Sequence, residues 1–400
     1  MKVCIFTGTH NATTGGAYTF ESQVFEALAA SAHESRHQFF LFSYGSQLQQ
    51  LKPSPRVDAN SNCLSNNQSS SFTSRVVQML RASIGQLKPV KTWYQNYRLN
   101  ALKQAGIDVT LALSSTYLTT AIPYIPIIWD IDHKRYPFFP EVSAESWESR
   151  EQFYAKMIAQ AAVVITGTEF GKSQIGRLYG IPPERITVIP MPTPQYVLSS
   201  PSDDGKEILQ KYQIPENYLF YPAQFWAHKN HVGLLLAVQL LRDKYNLKLP
   251  VVLSGFDQGN QPHVKQVVEQ LGLSEQVYFV GFITQTEVVT LYRNAFALAY
   301  VSFFGPDNLP PLEAMALGCP VVASQLPGSE EQLGDAALLC DPKSTEQIAE
   351  AIKTLWDDEL LRQTLIQGGK ERSLKWTTKD YARRIFATLD DFETMRRCWN

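Results

Sequence analysis

Excess charge of one sign, cysteine and long apolar runs are all scarce in this 400-residue sequence, and each shortage excludes something. Thirty-six Lys and Arg against 38 Asp and Glu give a formal net charge of -2. No global electrostatic grip on nucleic acid is therefore available, and none is expected. The five cysteines (Cys4, Cys63, Cys319, Cys340 and Cys398) are odd in number, widely spread and free of any C-x-x-C pair. Neither a disulfide frame nor a zinc site is supported, and reduced thiols in a cytoplasmic protein are the expectation. No run of 18 apolar residues occurs, and the longest candidates, 232–241 and 295–304, suit buried elements. Residues 1–8 lack the apolar core and small-residue cleavage site of a signal peptide, and read as a first strand.

What is present is 44% apolar residues, ample for burial, in a chain that fits two domains of about 150–200 residues each. Short β-branched and aromatic runs predict strands at 3–7, 38–43, 108–113, 124–129, 162–166 and 186–189 in the first half. The second half repeats the pattern at 218–223, 249–254, 276–280, 296–301, 320–324 and 336–339. Several runs are continuously apolar, as parallel strands covered on both faces require. Helical periodicity fills the gaps, notably at 17–32, 146–160, 230–244, 261–271 and 344–357. The result is βαβ twice over: an α/β chain of two doubly wound domains facing a crevice, where ligands bind beyond the carboxyl ends of the strands.

The prolines of Ile189-Pro190-Met191-Pro192-Thr193-Pro194 mark the boundary, because they stiffen the path and bar a helix. The expected division is a first domain over 1–192 and a second over 193–376. A final helix within 377–400 is expected to pack back on the first domain. One stretch breaks the rhythm. Residues 53–72, rich in Ser and Asn, read as a mobile loop. Between Asp58 and Asp108 no acidic residue offsets Arg75, Arg81, Lys88, Lys91, Arg98 and Lys103, with Trp93, Tyr94 and Tyr97 interleaved. Residues 75–103 fit either a solvated helix pair or a peripheral contact with an anionic membrane or lipid-linked acceptor on its cytoplasmic face.

The stretch Ser302-Phe303-Phe304-Gly305-Pro306-Asp307-Asn308-Leu309-Pro310-Pro311-Leu312-Glu313-Ala314-Met315-Ala316-Leu317-Gly318 reads strand, loop, helix, glycine stop. Pro311 suits the first helical position, and Glu313 then falls in the first turn. A helix start of this kind favours a phosphate. The adjacent prolines leave the amides of Asn308, Leu309, Leu312 and Glu313 as the usable donors. In the first half, Gly8-Thr9-His10-Asn11-Ala12-Thr13-Thr14-Gly15-Gly16 lies between strand and helix. Its Gly15–Gly16 pair admits close backbone approach to a ligand, although an ordinary βα turn fits the spacing equally. Gly167-Thr168-Glu169-Phe170-Gly171-Lys172-Ser173 is one residue short of a P-loop, and Thr168 suits a helix N-cap instead.

Together these motifs resemble the retaining glycosyltransferases of family four (glycosyl transferases group 1), which have the GT-B fold. The donor loop above matches their signature, in a subgroup reading Gly-Pro-Asp-Asn-Leu-Pro-Pro-Leu-Glu. Phe220-Tyr221-Pro222-Ala223-Gln224-Phe225-Trp226-Ala227-His228-Lys229-Asn230-His231 is similar to the stretch carrying the diphosphate-binding lysine. Gln276-Val277-Tyr278-Phe279-Val280-Gly281-Phe282-Ile283 resembles the turn beside the nucleobase. Val163-Val164-Ile165-Thr166, with Arg185-Ile186-Thr187-Val188-Ile189-Pro190, resembles the end of the family's first domain.

The resemblance implies two facing Rossmann-like domains that transfer a mannose-like or glucose-like hexose from a nucleotide diphosphate sugar to a glycan or lipid-linked hydroxyl. It implies Lys229, Asp130 and His133 at the reacting centre. Gly15, Gly16, Gln224, Phe282, Asp307, Asn308, Leu309 and Glu313 would hold the donor, Glu313 at the ribose. It implies neither a cofactor beyond the donor nor a metal. The only Asp-x-Asp, Asp130-Ile131-Asp132, is expected away from the diphosphate. Two departures stand out. Gly305 replaces the family's first glutamate, and Gln224 replaces its arginine. Both positions also fit a catalytically degenerate protein that binds a nucleotide-sugar without transfer.

Overall fold

The structure, a computed structural model, describes residues 1–8, 15–42, 49–51, 98–142, 146–201, 205–305 and 307–399. Most of the basic stretch 75–103, together with Cys63, His10 and Pro306, lies outside the described residues. Within that stretch, the Arg98 guanidinium lies over the Phe42 ring, 5.7 Å from its centroid.

Two sheets carry the molecule. The first comprises β1 (Lys2–Phe6), β2 (Gln38–Phe42), β3 (Gln49–Gln50), β4 (Val109–Ala112), β5 (Tyr124–Ile128), β6 (Val164–Thr166) and β7 (Ile186–Val188). The second comprises β8 (Leu219–Pro222), β9 (Val251–Ser254), β10 (Val277–Gly281), β11 (Ala297–Tyr300), β12 (Val321–Ser324) and β13 (Leu338–Cys340). Their orders are β3-β2-β1-β4-β5-β6-β7 and β10-β9-β8-β11-β12-β13. Among the described residues only the β2–β3 pairing is antiparallel. Apart from that short edge strand, every strand falls on a run expected from the sequence.

The composition explains the burial. Val251, Val252 and Leu253 of β9 are fully enclosed, as are Leu219 and Phe220 of β8. Each such side chain contributes roughly 1.5–3 kcal/mol by leaving water. Helices cover both faces and start on local signals. Thr168 accepts from the Gly171 amide at 2.9 Å and caps the helix Glu169–Tyr179, so the near-P-loop is a capped helix start. Cys4, Cys319 and Cys340 are buried, and burial pushes each thiol up to about 12, which leaves them unreactive.

Strand order reverses between β1 and β4 in the first sheet, and between β8 and β11 in the second. Ligands bind beyond the carboxyl ends at such switch points, and the two face each other here. The chain crosses between domains twice. On the second crossing, Trp376 Nε1 donates to the Pro190 carbonyl at 2.7 Å, and the Thr193 amide donates to the Trp376 carbonyl at 3.1 Å. Thr377 and Asp380 then form a capping box that starts the helix Thr378–Arg396. Its Tyr381, Ile385 and Leu389 enter the core of the first sheet beside Val3, Ile5 and Phe20. Among the described residues no helix is long and apolar enough to cross a membrane.

Candidate active site

A cavity of about 1520 Å³ lies between the two sheets and draws its walls from both domains. Gly15 and Gly16 follow β1 at the start of the helix Gly16–Ser31. Gly15 holds a φ of 72°, a conformation that favours glycine. A Cβ on Gly15 would lie 3.5 Å from Gln224 Nε2, and one on Gly16 would lie 3.8 Å from Leu309 Cδ1. The glycine pair thus faces two of the expected donor-site residues across the cleft.

Lys229 enters the cavity after β8, with its Nζ donating to the Tyr300 hydroxyl at 3.0 Å. That hydroxyl donates in turn to Asn308 Oδ1 at 3.1 Å. Phe282 is 45% exposed and stacks on Phe256, with ring centroids 4.6 Å apart; both line the cavity as a flat apolar platform. Glu313 is buried, with Oε1 accepting from the Tyr196 hydroxyl at 2.7 Å and Oε2 from the Tyr292 hydroxyl at 3.0 Å. Burial raises its carboxyl above the ordinary value, while the two hydroxyls pull the other way.

The donor loop is built differently from the sequence expectation. Its helix is Leu309–Ala316, so Leu309 rather than Pro311 is the first helical residue, and Glu313 falls past the first turn. The Asn308 amide donates to Gln332 Oε1 at 3.1 Å, which removes one of the expected phosphate donors. Asp307 turns toward the first domain. It accepts from Gln332 Nε2 at 2.9 Å and from the Met191 amide. Its Oδ2 would lie 1.6 Å from a Cβ on Gly167.

His133 is not brought to the cavity. The short helix Asp132–Arg135 turns its ring inward, where Nε2 donates to Glu151 Oε2 at 2.9 Å and the ring meets the Tyr154 edge. Burial lowers its pKa, against the pull of Glu151. The reason is a half-buried acid, Glu151, 18 positions away on the helix Trp147–Gln160, which claims the imidazole. Of Asp130-Ile131-Asp132, Asp130 lines the same cavity as Lys229. Asp132 is committed elsewhere, to Arg135 and to the Gly305 amide, each at 3.2 Å, so the pair does not present two carboxylates to one ion. Burial raises the Asp132 pKa, and the neighbouring Asp130 charge adds to the effect.

Four carboxylates join the domains in a reciprocal pattern. Asp132 and Glu141 of the first domain accept from the amides of Gly305 and His228, the latter at 2.9 Å. Asp307 and Glu331 of the second grip the first. Glu331 accepts from the Glu169 and Phe170 amides at 2.6 and 3.0 Å. A carboxylate at a helix N-terminus is favoured by the exposed amides and the helix dipole. Tyr196, Tyr292, Tyr300 and Glu141 were not marked by the sequence. Only Tyr300, at the end of a predicted strand and just before the donor loop, carried a usable signal.

Two facing Rossmann-like sheets with the site in the cleft between them define the GT-B fold. Residues 204–372 match the family model described as glycosyl transferases group 1. The chain is 32% identical over 211 residues to the O-antigen chain mannosyltransferase B of Escherichia coli, covering 52% of this chain and 55% of that protein. It is 30% identical over 205 residues to the O-antigen chain mannosyltransferase RfbU of Salmonella typhimurium, covering 51% and 54%. The chain spans about half the length of these curated relatives. Among solved structures, the sucrose-phosphate synthase of Thermosynechococcus elongatus superposes with a TM-score of 0.70 at 17% identity, covering 99% of this chain and all of that one. Anabaena HepE in complex with UDP-glucose superposes with a TM-score of 0.68 at 16% identity, covering 97% and 99%.

Proposed function

We propose that this chain is a retaining, metal-independent glycosyltransferase. It moves a hexose from a nucleotide diphosphate sugar to a hydroxyl of a glycan or lipid-linked acceptor. The observation that carries this reading is the convergence of Lys229, Phe282, Glu313 and Gly15–Gly16, drawn from both domains, on one cavity. Phe282 and Phe256 offer a stacking face for a base, Glu313 an acceptor for a ribose hydroxyl, and Lys229 a cation for the diphosphate. In the transfer the C1–O bond to the diphosphate breaks and the C1–O bond to the acceptor forms. The acceptor's proton leaves with the diphosphate. Lys229 stabilises the charge that develops on that leaving group, a preorganised electrostatic effect. The closed contact between domains excludes water from a donor that would otherwise hydrolyse. The relatives named mannosyltransferases support a mannose-like sugar and a surface glycan as acceptor.

The test is a thermal-shift screen with UDP, GDP, ADP and their sugar conjugates, with and without EDTA. Ligand at a hundred times its dissociation constant stabilises a protein by about 2.7 kcal/mol, a readable shift. A selective shift that survives EDTA, followed by transfer to an acceptor, is expected. No shift with any nucleotide would overturn the reading. Gly305 and Gln224 favour one second reading, a nucleotide-sugar binding protein without turnover, which binding without transfer across an acceptor panel would establish.

A further inference from the structure

We propose that His228, held by Glu141 across the domain interface, accepts a hydrogen bond from a hydroxyl of the donor's sugar ring. The proposal rests on the reading of the cavity as a nucleotide-sugar site. Glu141 Oε1 takes both the backbone amide of His228, at 2.9 Å, and its ring Nδ1. The ring is clamped from below by Phe304, stacked at a centroid distance of 4.0 Å and an angle of 11°. The Phe303 amide and the Ser302 hydroxyl hold the His228 carbonyl at 2.8 and 3.2 Å. An imidazole with Nδ1 bonded to a carboxylate, in a residue that lines the cavity, has Nε2 as its remaining nitrogen for a ligand. Burial drives the ring pKa down to about 4 against the pull of Glu141, so the ring is neutral and Nε2 is an acceptor.

The position along the sheet identifies the ligand group. Strand order places Phe282 and Phe256 after β10 and β9, His228 and Lys229 after β8, and Gly305 after β11. A donor with its base on the aromatic pair and its diphosphate at Lys229 therefore carries its sugar toward His228, Asp130 and Gly305. Gly305 contributes no side chain to that wall. His228 and Asp130 together present two acceptors there, which matches the hydroxyl donors of a hexose. Because Glu141 comes from the first domain, the hydrogen bond that fixes the ring's Nδ1 as donor forms only when the domains meet.

The test is calorimetric titration of UDP, UDP-glucose, GDP and GDP-mannose into the full chain, as wild type, His228→Ala, His228→Gln and Glu141→Ala. His228→Ala should weaken the sugar conjugate threefold to tenfold, about the net worth of one hydrogen bond, and leave the matching nucleotide diphosphate unchanged. His228→Gln keeps an acceptor and should recover part of the loss. Glu141→Ala frees the ring and should show the same selective loss, as a positioning residue would. Unchanged binding of the nucleotide diphosphate also shows that each variant is folded. Equal weakening of conjugate and nucleotide, or no change in either, would overturn the proposal. A wild type that binds none of the four would overturn the function proposed above, and this inference with it.

Discussion

The ammonium of Lys229 rests on the hydroxyl of Tyr300 at 3.0 Å, and Tyr300 passes the contact on to Asn308 of the donor loop. The cation proposed to face the diphosphate is thereby tied to β11 as well as to its own loop after β8. Removing the charge and removing its support should have separable effects.

For the charge itself, Lys229→Ala should lower turnover by about a hundredfold or more, the usual cost of deleting a preorganised group that stabilises a leaving anion. A donor-consumption assay measures it, with the melting temperature as the control for folding. Near-normal turnover would place the diphosphate elsewhere.

For the support, Tyr300→Phe keeps the ring and removes only the hydroxyl. A loss of about threefold to tenfold in kcat/KM is expected, the scale of one or two hydrogen bonds. An unaltered kcat/KM would show that Lys229 is held without it.

Gly167 lets the Asp307 carboxylate come close against the first domain. In Gly167→Ala the new Cβ would fall 1.6 Å from Oδ2 and 2.7 Å from Cγ, so the carboxylate must leave its seat. A destabilisation of roughly 1–3 kcal/mol is expected, as for overpacking in general. Thermal melting reads it. Adding Asp307→Ala should relieve most of the crowding, whereas strictly additive losses would count against this account.

Asp307 also sets a pH dependence. Burial pushes its carboxyl up from 3.8 to about 7, partly opposed by the Met191 amide, with the Glu331 charge adding to the rise. The folded state therefore holds a proton that the unfolded chain has already lost. Its contribution to stability is complete below about pH 4 and is lost as pH rises toward 7. Asp307→Asn has no such proton. Its melting temperature should fall less than the wild type's between pH 5 and pH 8, and parallel curves would show that the folded carboxylate is already ionised.

The strands were readable because parallel sheets bury both faces. Runs such as Val251-Val252-Leu253 have no solvent-facing alternation to confuse them. The pair Gln49–Gln50 was not, since a two-residue edge pairing leaves no periodicity. Gly15, Gly16 and Leu309 drew notice because glycine loops and helix starts announce themselves locally, whereas Lys229 was marked only by the family resemblance. The direction of His133 was not, because it depends on Glu151, and no spacing reveals which acid will claim a histidine. Tyr196 and Glu141 were invisible for a related reason. Each acts on a residue far along the chain, Glu313 or His228, more than 80 positions away.

The two crossings of the chain lie side by side, with Thr193 and Thr377 paired as a parallel bridge. A single connecting strand would let one half spin freely on the other. Two strands laced together behave as a strap: they bend readily and resist twisting. Any opening of the cleft would therefore be a bellows-like stroke, and closing would return Glu141 to His228 and Asp132 to Gly305 in the same alignment.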